Sequence, residues 1–87
     1  MTNLQEHITR VIIETCGLDP HDDAPKITME CNLTTTLGID ELDAVEIIIE
    51  LESSLEIAIN DDDVDATNLT MEALHAAIQA ATDETYD

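Results

Sequence analysis

Four acidic residues near the end of the chain have the spacing of the oxygen ligands in a calcium-binding loop. With Asp61 as the first position, Asp63, Asp65 and Glu72 fall at positions three, five and twelve. Position six, where such a loop uses glycine for a sharp turn, is Ala66. Because 21 of the 87 residues are acidic, this spacing arises easily by chance. We therefore predict no specific metal site and keep the four acids as weak candidates for divalent-ion binding.

The other side chains with catalytic chemistry are not grouped by their spacing. His7, His21 and His75 fall on different predicted elements, and Cys16 and Cys31 lack the spacing of metal ligands. No Ser/His/acid or Cys/His arrangement follows, so we expect no enzymatic activity. The first residues contain no apolar segment of the kind found in a secretory signal. We therefore expect the two cysteines to be free thiols and the protein to be cytoplasmic.

Residues 37–42, Leu-Gly-Ile-Asp-Glu-Leu, predict the start of a helix. Asp40 is suited to be its N-cap, because a carboxylate can accept hydrogen bonds from the first backbone N–H groups. Glu41 and Asp43 then lie in the first turn, where the helix dipole favours negative charge. Glu41 is therefore energetically favourable at this position.

The helix that begins there is predicted to extend to about residue 55 and to have two apolar faces. At 100° per residue, one broad face suited to a core contains Ala44, Ile47, Ile48, Leu51 and Leu55. Leu42, Val45 and Ile49 form a second apolar patch, with Glu41 and Glu52 between the two faces and Glu46 beyond the second. A helix on a core needs only one apolar stripe, so the second patch is covered by the long connection or offered to a partner.

The remaining elements complete a small all-α bundle with one long first loop. A first helix over about 3–16 ends at Gly17, and a connection over 18–39 contains two prolines. Its scattered apolar residues are expected to lie over the bundle: Leu18, Ile27, Met29, Leu33, Leu37 and Ile39. The acidic loop 56–69 is expected to hold one short helical turn near 61–65.

A last helix starts at Thr70 as N-cap. Its buried face should consist of Met71, Leu74, Ala77, Ile78 and Ala81. Three main helices plus one short helix then form a single domain over 1–82, followed by a flexible acidic tail over 83–87.

The formal net charge of −19 limits the classes of partner. Nucleic acids and anionic membranes are also negative and are therefore excluded, and no apolar run is long enough for insertion into a bilayer. A protein with a basic surface is favoured as partner, because electrostatic attraction steers such encounters. Self-repulsion further predicts a monomer whose stability increases with salt.

The segment Gly38-Ile39-Asp40-Glu41-Leu42 resembles the motif at which acyl carrier proteins attach their prosthetic group. The leucine before the glycine, the acid after Leu42, the pair Val45-Glu46 and the pair Leu51-Glu52 also agree. The likeness extends over nearly the whole chain, including the acidic loop and a last helix that begins at a threonine. It implies a four-helix carrier fold.

The resemblance also implies that position 41 would be a serine carrying 4′-phosphopantetheine. Glu41 has no hydroxyl and cannot form that phosphodiester, so we expect no such cofactor on this chain. Ser53 and Ser54 are more than two helical turns away. Thr34, Thr35 and Thr36 (34–36) lie on the wrong side of the glycine turn.

In the carrier family the second helix and the loop before it dock on basic patches of acyl-chain-processing enzymes of fatty-acid or polyketide-type metabolism. The corresponding partner-binding residues here are Asp40, Leu42, Asp43, Val45, Glu46, Ile49 and Glu52. Three explanations of the glutamate at position 41 stay open. The chain could be a paralogue that keeps the docking surface but not the arm, or a carrier whose serine was substituted. The match could also be accidental in an acidic helical protein, for instance one that responds to divalent ions.

Overall fold

Over the residues that the structure describes, the protein is a small all-α globule of four α-helices, as the sequence predicts. The structure, a computed structural model, describes residues 4–60 and 62–85, with side chains to residue 82. The helices are α1 (Leu4–Cys16), α2 (Leu33–Thr36), α3 (Glu41–Leu55) and α4 (Met71–Thr85), and a 3₁₀ turn spans Ala24–Lys26. Within the described residues, none of these helices has the length and apolarity needed to cross a bilayer.

The core lies between α1, α3 and α4 and is made of aliphatic side chains. Its largest fully buried members are Ile8, Ile12, Leu33, Ile47, Leu51, Leu69, Met71, Leu74 and Ile78. The buried faces predicted for α3 and α4 are therefore confirmed at their centres. Ile13 of α1 and Ile27 of the long connection are also buried, and both line one groove beside α1.

Residues that favour helix ends occur at the observed ends. Gly17 has φ +66° directly after α1, in the left-handed region that favours glycine. Thr70 Oγ1 accepts a hydrogen bond of 3.1 Å from the N–H of Ala73, so Thr70 caps α4 as predicted. α4 continues to Thr85, into the segment expected to be a tail, and residues 86–87 lie outside the described part of the chain.

The short helix is not where the sequence predicted it. It is α2, Leu33–Thr36, capped by Asn32, whose Oδ1 accepts from the N–H of Thr35 at 3.2 Å. Burial of Leu33 anchors this turn in the core. At 62–63 the backbone forms a turn instead, because the side chain of Asn60 accepts a hydrogen bond from the N–H of Asp62 and its carbonyl accepts one from the N–H of Asp63. Asp61 lies outside the described residues.

The two long connections are joined to each other by hydrogen bonds, and we call this region the loop clamp. The N–H of Leu33 donates to the carbonyl of Leu69 at 2.8 Å, and the N–H of Met71 donates to the carbonyl of Cys31 at 3.1 Å. The N–H of Leu69 also donates to Thr34 Oγ1 at 2.8 Å. These bonds fix the loop that follows α3 against the segment that precedes it, which places residues 62–67 beside α3.

Candidate functional site

The first turn of α3 has the geometry that its sequence predicts. Gly38 has φ +68°, and two residues later Asp40 is the N-cap, with its Oδ1 accepting from the N–H of Asp43 at 2.9 Å. Glu41 is the first helical residue, and its side chain is exposed. Position 41 therefore presents a carboxylate to solvent at the positive end of the α3 dipole.

Next to Glu41, α3 exposes three aliphatic side chains, which we call the α3 patch. Leu42 is 75% exposed, Ile49 54% and Val45 41%. Among the side chains described for residues 4–60 and 62–82, these are the large hydrophobic ones that face solvent. Since the long connection does not cover them, the interpretation in which it hides the second apolar face is wrong.

One side of the α3 patch opens into a groove of about 620 Å³ between α3 and residues 62–67, which we call the loop-side groove. Its apolar lining is contributed by Val45, Ile48, Ile49, Val64 and Ala66. Four carboxylates also line it, two from α3 and two from the loop: Glu41, Glu52, Asp62 and Asp65. The apolar surface is thus bordered by acids from both elements.

The opposite side of the patch opens into a groove of about 770 Å³ between α1 and α3, which we call the α1-side groove. Ile49 lines both grooves. Arg10 and His7 lie along the α1-side groove together with Glu46. His7 Nε2 is 2.8 Å from Ser54 Oγ, a contact that links α1 to α3. The charges here are therefore mixed.

The acids predicted to bind a partner differ in how far they are already used by the fold. Asp40 caps α3, and the half-buried Glu52 accepts a hydrogen bond through Oε2 from the N–H of Ile59 at 2.8 Å. The hydrogen bond between Ile59 and Glu52 holds the loop after α3 in place. Glu41 and Glu46 are exposed, and Asp43 is half-buried. That these acids contact a partner stays a prediction.

Three hydroxyl groups before and within α3 already have contacts within the fold. Thr34 Oγ1 accepts a hydrogen bond in the loop clamp, and the Thr36 hydroxyl interacts with the thiol of Cys31. Ser54 Oγ donates to the carbonyl of Leu51 at 3.4 Å and contacts His7.

Both free cysteines are disfavoured as thiolates. Burial, together with the negative charges of Asp43, Glu46 and Asp40, raises the pKa of Cys16 from 9.0 to about 11. Burial also raises the pKa of Cys31, although its hydrogen bond with Thr36 opposes the shift. At neutral pH the thiols are protonated and therefore poor nucleophiles and poor metal ligands.

The described members of the calcium-loop pattern are not brought together. Asp65 Oδ1 accepts from the Oγ1 of Thr67 at 2.6 Å and from its N–H at 2.9 Å, and these bonds lower the pKa of Asp65. Glu72, on α4, lines a separate groove together with Glu30 of the long connection. Among the side chains described for residues 4–60 and 62–82, no three His, Cys, Asp or Glu are placed to hold an ion. Asp61 lies outside that part of the chain.

The fold and site together define a small four-helix protein with an exposed, acid-bordered apolar patch on one helix. No protein-family model matches the sequence. The likeness to acyl carrier proteins is therefore a prediction from the residues around Glu41.

Val64 and Ala66 were not predicted to belong to the site, although apolar residues within so acidic a segment were a signal that it packs against something.

Proposed function

We propose that this chain is a non-catalytic interaction module of the acyl-carrier type, which docks a basic protein through the first half of α3. The observation that carries the proposal is the exposure of Leu42, Val45 and Ile49 on the helix that begins at Glu41. Apolar side chains exposed together on one helix are costly to keep in water, and they commonly mark a binding surface.

The charge of the chain selects the kind of partner. At −19 the protein repels acidic surfaces and attracts basic ones, and long-range attraction speeds productive encounters. An apolar centre with a charged border is also the usual composition of a modest protein interface. By the family resemblance, the partner would be an acyl-chain-processing enzyme.

Glu41 makes the module one without a prosthetic arm. A carboxylate cannot take the place of the serine oxygen in a phosphodiester, so 4′-phosphopantetheine would not be attached. The glutamate instead supplies one negative charge where the phosphate of a loaded carrier would lie, the same charge as a phosphodiester but with a different geometry.

Intact mass spectrometry after incubation with coenzyme A and a phosphopantetheinyl transferase tests both the lack of an arm on Glu41 and the carrier-type docking surface. The protein should keep its mass, whereas Glu41→Ser should gain one pantetheine arm, because its α3 surface is expected to be recognised by the transferase. A gain of mass by the unaltered chain would overturn the assignment of Glu41. Failure of a folded Glu41→Ser to gain the arm would overturn carrier-type docking.

A second round in the Glu41→Ser background locates the docking surface. Leu42→Ala should slow arm transfer at low transferase concentration by about fivefold, the effect of losing roughly 1 kcal/mol of contact energy. Glu46→Gln should slow it at low salt. Glu72→Gln removes the same charge from an exposed site on α4 and should leave the rate close to that of the parent. Equal slowing by Glu46→Gln and Glu72→Gln would mean that only the net charge matters and that Glu46 does not belong to the docking surface.

A further inference from the structure

The two grooves beside the α3 patch differ in charge, and the difference bears on where a basic partner would sit. The loop-side groove is lined by four carboxylates and, among its described lining residues, by no Lys, Arg or His. The α1-side groove is lined by three carboxylates, Glu14, Glu46 and Glu50, but it also includes Arg10 and His7. The whole chain has only two Lys and Arg residues, so one of its two fixed cations lies along the α1-side groove.

The apolar surface of the loop-side groove is suited to an inserted side chain. Ile48 and Val64 are buried beneath it, and the more exposed Val45 and Ile49 continue the surface into the α3 patch. Its volume of about 620 Å³ is within the range of clefts that bind compact ligands, roughly 300–1,000 Å³. It can therefore take more than one aliphatic side chain.

The carboxylates lie on both elements that form this groove. Glu41 belongs to the first turn of α3, while Asp62 and Asp65 belong to the loop facing it. A cation that follows an apolar side chain into the groove would meet negative charge from α3 and from the loop. A free fatty acid would instead bring its carboxylate against these acids, which opposes its binding.

We infer that the loop-side groove receives an amphipathic helix of the partner protein, with an apolar side chain inserted over Ile48 and Val64. Lys or Arg residues three or four positions away lie on the same face of such a helix. They would pair with Glu41 on one side and with Asp62 and Asp65 on the other. The inference rests on the proposed function and adds the location of the contact and the chemistry of the partner segment.

A pair of neighbouring aspartates supplies a matched test. Asp62 and Asp63 are both exposed, but only Asp62 lines the loop-side groove. Asp62→Asn and Asp63→Asn make the same change in charge in the same loop. If the groove is the binding site, the first should weaken binding of a basic helix by about threefold near 0.15 M salt, and the second much less.

The probe is a short synthetic amphipathic helix with leucines on one face, flanked by lysines, and its affinity is measured by titration calorimetry. One control peptide has its leucines replaced by serine, and another its lysines replaced by glutamate. The parent peptide should bind at least about tenfold more tightly than the serine peptide, because only leucine side chains bury apolar surface in the groove. The glutamate peptide should not bind.

Three results would overturn the inference: no binding of the leucine–lysine peptide, equal binding of the serine peptide, or equal weakening by Asp62→Asn and Asp63→Asn. Ala66→Leu adds bulk to the lining of the groove and should reduce binding of the peptide, while circular dichroism verifies that the variant is folded. The proposed function is judged separately by arm transfer to Glu41→Ser. A partner can dock on the α3 patch without entering this groove, so the two can fail independently.

Discussion

The two apolar faces of α3 are made of similar residues but lie in opposite surroundings. Ala44, Ile47 and Leu51 have no exposed surface, whereas Leu42 and Ile49 are more than half exposed. Burial of the first group contributes to folding, and the second group has no partner within the described part of the chain that covers it. The buried face therefore holds α3 in the bundle, and the exposed face is available to other molecules.

The largest effect expected from this comparison is on stability. Leu51→Ala should lower the free energy of unfolding by about 3 kcal/mol, because a fully buried leucine leaves a cavity. Leu42→Ala makes the same chemical change at a side chain that is 75% exposed and should cost less than about 0.5 kcal/mol. Urea denaturation of both variants measures the difference.

Similar losses at the two positions would mean that the α3 patch is buried in solution and is not a surface. Should Leu51→Ala prove too unstable to purify, Ile47→Val is the milder core variant. It is expected to lower the free energy of unfolding by roughly 1 kcal/mol.

Cys16 reports on the charge near the start of α3. With its pKa raised from 9.0 to about 11, its thiolate fraction at pH 8 is lower by about 100-fold than in the unfolded chain. In a Cys31→Ala background, iodoacetamide should therefore alkylate the folded protein far more slowly than the protein in urea. Asp43→Asn removes one of the charges responsible and should speed alkylation of the folded form.

The same shift has a defined sign in stability. Because the folded pKa of Cys16 is the higher one, its contribution is complete below pH 9 and is lost as the pH rises towards 11. The urea midpoint of the protein should accordingly fall more over this range than that of Cys16→Ala. An alkylation rate that is unchanged by unfolding would contradict the predicted surroundings of the thiol.

A smaller effect distinguishes the two acids at the start of α3. Asp40→Ala removes the N-cap hydrogen bond to Asp43 and should lower the free energy of unfolding by about 1 kcal/mol. Glu41→Ala removes an adjacent carboxylate that makes no cap, so the loss should stay below about 0.5 kcal/mol. Thermal melting of the two variants compares them. A larger loss for Glu41→Ala would assign that glutamate to folding and would weaken its proposed role at the surface.

The smallest effect concerns the end of α3. Glu56, the C-cap, has φ +55°, a left-handed conformation that is unfavourable for a residue with a Cβ. Glu56→Gly should raise the free energy of unfolding by about 0.5–1 kcal/mol. Glu56→Gln keeps the strain but removes the charge, so it shows how much of any gain is electrostatic. A gain of the same size in both variants would assign the effect to charge alone.

The fold was predictable where local interactions determine it. Gly17, Asp40 and Thr70 each favour a helix end through contacts within a few residues, and all three ends are confirmed. The short helix was predicted in the wrong loop, because α2 depends on the burial of Leu33 and on the loop clamp. The clamp pairs residues more than thirty positions apart, and no local pattern indicates such pairs.

The exposed apolar residues of α3 were predictable from the sequence, but the loop residues that face them were not. The helical period placed Leu42, Val45 and Ile49 together, but it left open whether the long connection covered them. That Glu52 holds the backbone of Ile59 was not indicated by the sequence, since a half-buried glutamate and an exposed one have the same place in a charge pattern. The loop-side groove was likewise invisible, because it exists only where residues 62–67 lie against α3.

Taken alone, the order of residues determined the helical class, the ends of the long helices, the strong negative charge and the lack of a hydroxyl at position 41. These depend on side-chain chemistry and on neighbours within one or two helical turns. Tertiary packing decided which apolar face of α3 is exposed and which acids surround it. Exposure is set by contacts between distant segments, and those form only when the loops close over the bundle.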